Sequence, residues 1–275
     1  YILIGLYFAI SLAIGLYAGR RSGKGQKDYF LAGGSTPWLL AGTSMVATTF
    51  AADTPLAVTG LVRGGGIAAN WIWWSFAAGG VLTVFFFARL WRRSGLTTDL
   101  EFLELRYGGP QAAFLRGAKA LYLGVVLNLL IIGWVNLAML KIIRVLFPTA
   151  PAELWLIGIA GLTALYVMFA GLRGVVAADA FQFIIAMGGS ILLAFYADQA
   201  RPAGETWQSS TLSFWPDIQA ADGVALLFTG LLLQWWAAFY PGAEPGGGGY
   251  VAQRILASRS ERDGLLAALW FNVAH

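Results

Sequence analysis

Long apolar runs alternate with short polar segments along this chain. Seven runs approach the roughly 20 residues that a helix rising about 1.5 Å per residue needs to cross a bilayer. They lie at residues 1–18, 37–60, 67–90, 119–143, 153–170, 175–197 and 223–241, and an eighth begins near Gly264. The first and last runs open and close in mid-helix, which predicts a longer parent chain. Between the third and fourth runs, Thr98 and Glu101 form a T-x-x-E pattern ahead of Leu100, Leu103 and Glu104. This spacing predicts a capping box and a short amphipathic surface helix, ended by Gly108, Gly109 and Pro110.

Composition sharpens the picture. Of 275 residues, 58% are hydrophobic and 12% charged, and mean hydropathy is +0.68. A soluble domain carries about 45–50% apolar and about 25% charged residues. An integral membrane protein is therefore expected. Disorder is excluded because disordered chains are poor in apolar residues. A disulfide scaffold is excluded because there is no Cys. The net charge of +4 is explained by topology. Of 18 basic residues, only Arg63, Lys141, Arg144 and Arg201 fall on one side of the alternating loops. The positive-inside rule assigns the other side to the cytoplasm and the N-terminus to the outside of the cell membrane, plasma or bacterial inner. No nucleic-acid partner is expected; the surroundings are the lipid bilayer.

Three apolar runs contain interruptions. Residues 37–60 are rich in Thr, Ser, Ala and Gly, and Asp53, Thr54 and Pro55 lie inside the run. Pro55 lacks an N–H and is expected to strip the Ala51 carbonyl of its partner, breaking the helix around residues 48–55. Irregular backbone at membrane depth persists only where it is buried or lines a wet cavity. Freed carbonyls there are hard oxygen donors suited to a small cation, and an ionisable Asp53 within a span is costly enough to suggest a role. In the run at 175–197, Asp179 and Gln182 share nearly one helix face. In the last run, Gln234 precedes Pro241, Glu244, Pro245 and four consecutive glycines, which forbid a continuous helix. No Lys-Ser/Thr follows those glycines, so this is no phosphate-binding loop. No nucleophile–base pair and no His/Cys cluster suggests an enzyme.

Several stretches resemble the sodium:solute symporter family, which includes sodium–proline, sodium–sialic acid and sodium–glucose cotransporters. Residues 28–34 (DYFLAGG) resemble its D-[YF]-[FY]-L-A-G-[RK] segment. The T-x-x-E-F-x-E-x-R-Y loop at 98–107 is similar to its inner-loop signature. Residues 174–182 resemble its G-G-x-x-A-x-x-x-T-D-x-x-Q segment, with Ala178 in place of the Thr. Residues 253–259 (QRILASR) resemble its Q-R-x-L-A-A-K stretch. The match covers the chain as the family's N-terminal half.

The resemblance implies an all-α integral membrane protein with a LeuT-type 5+5 inverted repeat. Residues 1–18 are then a leading helix, 37–197 the first five-helix repeat and 223–275 the start of the second, within a single transmembrane domain. It also implies alternating-access symport of a small solute with Na+. By this likeness, the carbonyls of Ala47 and Phe50 and the carboxylate of Asp179 are expected to serve the ion. Thr49, Asp53, Thr54, Trp73, Gln234 and Glu244 are candidates for the solute site. Trp73 stands where sugar-transporting members carry a Glu, which argues against a sugar substrate. The rival reading is a membrane sensor module of a signalling histidine kinase, which a kinase domain in the remaining sequence would reveal. Oligomeric state is not legible.

Overall fold

The computed structural model describes residues 2–20, 25–201, 209–219, 221–234 and 244–275. Helices make up nearly all of it. Those used below are α1 (Ile2–Gly19), α2 (Trp38–Thr49), α3 (Asp53–Gly65), α4 (Ile67–Ser94), α5 (Gly109–Leu146), α6 (Ala152–Gln199), α7 (Asp222–Leu233), α8 (Gly249–Leu256) and α9 (Glu261–Ala274). Four of these (α1, α4, α5 and α6) are long and apolar enough to cross a membrane, and α2 with α3 makes a fifth, bent by 64°. Large apolar side chains such as Phe85, Leu129, Phe169 and Leu193 are exposed. A bilayer solvates such surfaces, whereas a soluble protein would bury them.

Helix α6 joins two of the expected runs. Its 48 residues would measure about 72 Å if straight, more than twice the hydrocarbon thickness of about 30 Å. Gly171 divides it, with φ 58 and ψ −177. Only glycine reaches that backbone conformation without strain. Residues 28–34 pack against the division. The Tyr29 hydroxyl donates to the Met168 carbonyl at 2.9 Å, and Arg173 donates to the Ala32 carbonyl at 3.0 Å. A side chain at Gly171 would also meet the Tyr29 ring and carbonyl at 3.2 Å.

Small residues let helices meet closely, as packing in lipid favours. On α1, Gly19 lies against the backbone of Ala170, and Gly15 lies against Tyr166 and Gly174 of α6. Gly42 of α2 abuts Ala267 and Trp270 of α9, and Gly80 of α4 abuts Asn272. The main buried cluster joins Met45, Val84, Ile255, Ala267 and Phe271, which come from α2, α4, α8 and α9. An isolated backbone bridge between Thr36 and Ser258 ties the start of α2 to the α8–α9 turn. Asp263 secures the same corner, accepting from the Trp38 amide at 3.1 Å.

Two details depart from the sequence reading. Helix α5 begins at Gly109, ten residues before the expected span, because Pro110 suits a first helical turn. The capping box is half formed. Glu101 reaches back to accept from the Thr97 amide at 2.8 Å, but the helix from Glu101 to Arg106 has no side-chain cap from Thr98. The chain satisfies that end by turns, in which the Thr98 carbonyl accepts from the Glu101 amide.

Substituting Gly171→Ala combines backbone strain with a tight contact against Tyr29. We expect a loss of at least about 1–2 kcal/mol, read as a lower midpoint of thermal unfolding in detergent. An unchanged midpoint would contradict the role given to this glycine.

Candidate functional site

The break between α2 and α3 is built from hydroxyls and small residues. Thr48 donates to the Ser44 carbonyl at 2.8 Å and Thr49 to the Val46 carbonyl at 2.7 Å. Back-bonding of this kind bends helices by competing for backbone acceptors. At the break, the Ala51 amide donates to the Thr49 carbonyl and the Thr54 amide to the Ala51 carbonyl. A continuing helix would have given those two amides to Ala47 and Phe50. Both carbonyls are therefore deprived of their helical donors. Thr54 braces the bend by donating its hydroxyl to the Thr49 carbonyl at 2.9 Å.

Pro55 acts differently from the sequence expectation. The Ala51 carbonyl keeps a partner, the Thr54 amide. Pro55 is the third residue of α3, in a first turn where an N–H is not needed. It starts the second half rather than unwinding the first.

Asp179 and Arg254 form a second polar assembly, and each is nearly buried, at 7% and 6% exposure. Their closest approach is 3.7 Å. The Ser44 hydroxyl donates to Asp179 Oδ2 and accepts from Arg254 Nε at 3.1 Å. Arg254 also donates to the Thr48 hydroxyl at 3.3 Å and to Gln253 at 2.9 Å. Three elements thus meet in one network: α2, the second half of α6, and α8. The charges cancel where solvent is scarce, and the hydroxyls fill remaining hydrogen-bonding positions, as a buried pair requires. Asp179 reaches α2, which carries Ala47 and ends just before Phe50, but at Ser44, about one turn before Ala47 and nearly two before Phe50.

A cavity of about 260 Å³ opens beside the break. Thr49, Trp73, Trp74, Tyr250, Phe271, Asn272 and His275 are among its walls. Its rings form a connected series: His275 stacks on Phe271 at 5.2 Å, Trp73 lies 6.4 Å from His275, and Tyr250 meets Phe271 edge-on at 6.4 Å. Of the solute candidates, Thr49 and Trp73 line this cavity. Thr54 is not among its walls and acts as the brace on Thr49.

The other candidates lie elsewhere. Asp53 opens α3, where a carboxylate suits the positive helix end, and it accepts from Trp134 Nε1 of α5 at 3.0 Å. Glu244 lines a separate cavity of about 360 Å³ with Asp99 and Lys119. The side chain of Gln234 lies outside the described residues. Nearby, Trp71 and Trp74 stack on Trp215 and Phe214 of the long loop after α6.

Sequence reasoning missed Arg254, Tyr250, Asn272 and His275. The sequence does place Tyr250, Gln253 and Arg254 together at the head of a helix. Nothing in it says that this helix faces Asp179, because that contact joins residues 75 positions apart.

Removing Arg254 strands a buried carboxylate. We expect Arg254→Met to cost about 3–5 kcal/mol, and Asp179→Leu combined with Arg254→Met to recover most of it. Thermal unfolding of the purified variants measures both; equal losses in the single and double variants would refute the pairing.

A model of the sodium:solute symporter family matches residues 29–262. The sodium/glucose cotransporter of Vibrio parahaemolyticus is 26% identical over 277 residues, covering 93% of this chain and 48% of that protein. Sodium/glucose cotransporter 4 of Mus musculus is 24% identical over 211 residues, covering 72% of this chain and 28% of its own length. Among solved structures, a Na+-coupled sialic acid symporter in a substrate-bound outward-open state superposes with a TM-score of 0.66 at 20% identity. It covers 99% of this chain and 56% of that one, and the likeness assigns a LeuT-like fold. The chain spans about half the length of these relatives, or less. With the match covering most of its residues, the chain belongs to the sodium:solute symporter family.

Proposed function

We propose that this chain forms the ion- and solute-binding half of a sodium-coupled transporter for a small polar solute. The observation that carries this reading is the break at residues 50–52. There the Ala47 and Phe50 carbonyls lose their helical donors beside a cavity of about 260 Å³. Carbonyl oxygens are the ligands a hard monovalent cation prefers, and unwound helices at the midplane are where secondary transporters bind ions and substrates. Sodium would bind at Ala47 and Phe50, with further oxygens from the rest of the protein. The bound cation would fix the angle between α2 and α3. Thr49 ends α2 at this hinge and lines the cavity with Trp73 and Tyr250, so the ion would sit directly beside the solute. Ion and solute are then coupled through one hinge, as differential affinity for two states requires.

Asp179 enters this scheme through Ser44. Its charge is shared with Arg254, and the network holds α2 to α6 and α8 one turn from the ion. The arrangement of helices supports reading α1 as a leading helix, residues 37–197 as the first repeat and residues 223–275 as the start of the second. The distribution of basic residues supports an N-terminus outside the cell membrane.

Uptake by the full-length protein in proteoliposomes tests the coupling. The probes are radiolabelled glucose, myo-inositol, proline and sialic acid, each with and without a sodium gradient. At least one is expected to accumulate only with sodium; uptake indifferent to sodium, lithium and proton gradients alike would end the proposal. In the same assay, Asp179→Asn is expected to raise the half-saturating sodium concentration about tenfold, equivalent to about 1.4 kcal/mol. An unchanged sodium dependence would remove Asp179 from the coupling path.

A further inference from the structure

The second helix interruption is held in place by side chains distant in sequence. Helix α8 starts at Gly249, and the residue before it, Gly248, has no side chain to cap the helix. Asp99, 150 residues earlier, does so instead: its Oδ2 accepts from the Gly249 amide at 3.0 Å. A carboxylate at a helix N-terminus satisfies an orphan donor and suits the positive end of the dipole. Three residues earlier in the chain, the Gly246 carbonyl accepts from Trp91 Nε1. The Gly246 amide donates to the Thr83 hydroxyl at 2.9 Å, and Thr83 is itself fixed to the Gly79 carbonyl at 3.0 Å. Gly246, Gly247 and Gly249 all have positive φ, at 98, 61 and 57. Such a backbone has no preferred course of its own and takes the one its partners impose.

These contacts join two parts of the candidate site. Thr83 and Trp91 belong to α4, which carries Trp73 of the solute cavity. Gly249 immediately precedes Tyr250, which lines the same cavity, and Arg254 follows about one turn later. Trp91 also meets Phe102 edge-on at 5.9 Å, so the inner-loop helix bearing the T-x-x-E pattern packs onto the same point.

We propose that Thr83 and Trp91 of α4, with Asp99 of the inner loop that follows it, act as a latch on the glycine hinge of α8, and that Asp99 is a positioning residue for Tyr250 and Arg254. The glycines let α8 change angle, and the latch fixes that angle while it is engaged. Its consequence for transport rests on the function proposed above; the latch itself does not.

The test uses the full-length protein with a single cysteine, Leu103→Cys, in the cavity of about 360 Å³ beside the latch. Labelling by a membrane-impermeant maleimide is timed in inside-out and right-side-out vesicles, with no solute and no gradient. Asp99→Ala and Trp91→Phe are each expected to speed labelling about tenfold, the range for loss of a charge-assisted or buried hydrogen bond. Trp91→Phe keeps the packed ring, so it reports even if Asp99→Ala folds poorly. Asp99→Glu is expected to restore slow labelling, because it keeps the carboxylate. Glu104→Gln, on the same inner-loop helix but paired with Arg116, is expected to leave the rate unchanged. Rates within about twofold of the parent in both latch variants would overturn the latch. So would equal acceleration by Glu104→Gln, or no rescue by Asp99→Glu. Sodium-indifferent uptake with accelerated labelling would overturn the transport reading and keep the latch; sodium-dependent uptake with unchanged labelling would do the reverse.

Discussion

Inside a bilayer, a backbone amide or carbonyl has no water to turn to, and leaving one unpaired costs several kcal/mol. Among the described residues, two departures from helix largely meet that demand. At the α2–α3 break the Ala51 and Thr54 amides find nearby carbonyls, and the hydroxyls of Thr49 and Thr54 add two bonds. At the glycine stretch before α8, the donors and acceptors come from Thr83, Trp91 and Asp99. The carbonyls of Ala47 and Phe50 are the exceptions, since the amides that would complete them are bonded elsewhere. An acceptor without its helical donor is the kind of group a cation can complete.

The two breaks lie on helices that touch. Helix α8 contributes Tyr250 to the cavity beside the break and Arg254 to the pair with Asp179. Helix α2 contributes Thr49 to the cavity and Ser44 and Thr48 to the network around the pair. A change in the angle of either helix must therefore alter both. Buried ion pairs of this type tend to be poor sources of net stability but strict about partners, because an unmatched charge is costly. Here that strictness acts between α6 and α8, elements far apart in sequence.

Much of the architecture was legible from local chemistry. The apolar runs at 1–18, 67–90, 119–143 and 153–197 coincide with helices long and apolar enough to cross a membrane, and part of the run at 223–241 lies outside the described residues. Gly171 fell where two runs were expected to part, and the Thr-rich run at 37–60 broke within the expected stretch. Those features depend on residues close in sequence, through helix rise, backbone freedom and the cost of lipid-exposed amides. The agent of the break was less legible. Pro55 drew attention, yet the bend depends on hydroxyls competing for carbonyls, a choice that neighbouring packing decides.

The candidate site divided along the same line. Thr49 and Trp73 were expected at the solute site and line the cavity, while Asp53 turns to Trp134 and Glu244 to a different cavity. An ionisable residue in an apolar run announces that it must have a partner, but its sequence does not name the partner. Asp179 was open to a cation, a base or solvation by that reasoning; the packing of α8 against α2 and α6 supplied Arg254. The sequence by itself determined that this is a membrane protein of interrupted helices, because hydropathy and helix breaking act locally. Tertiary structure decided which polar groups meet, because a contact across 75 or 150 residues depends on how whole helices pack.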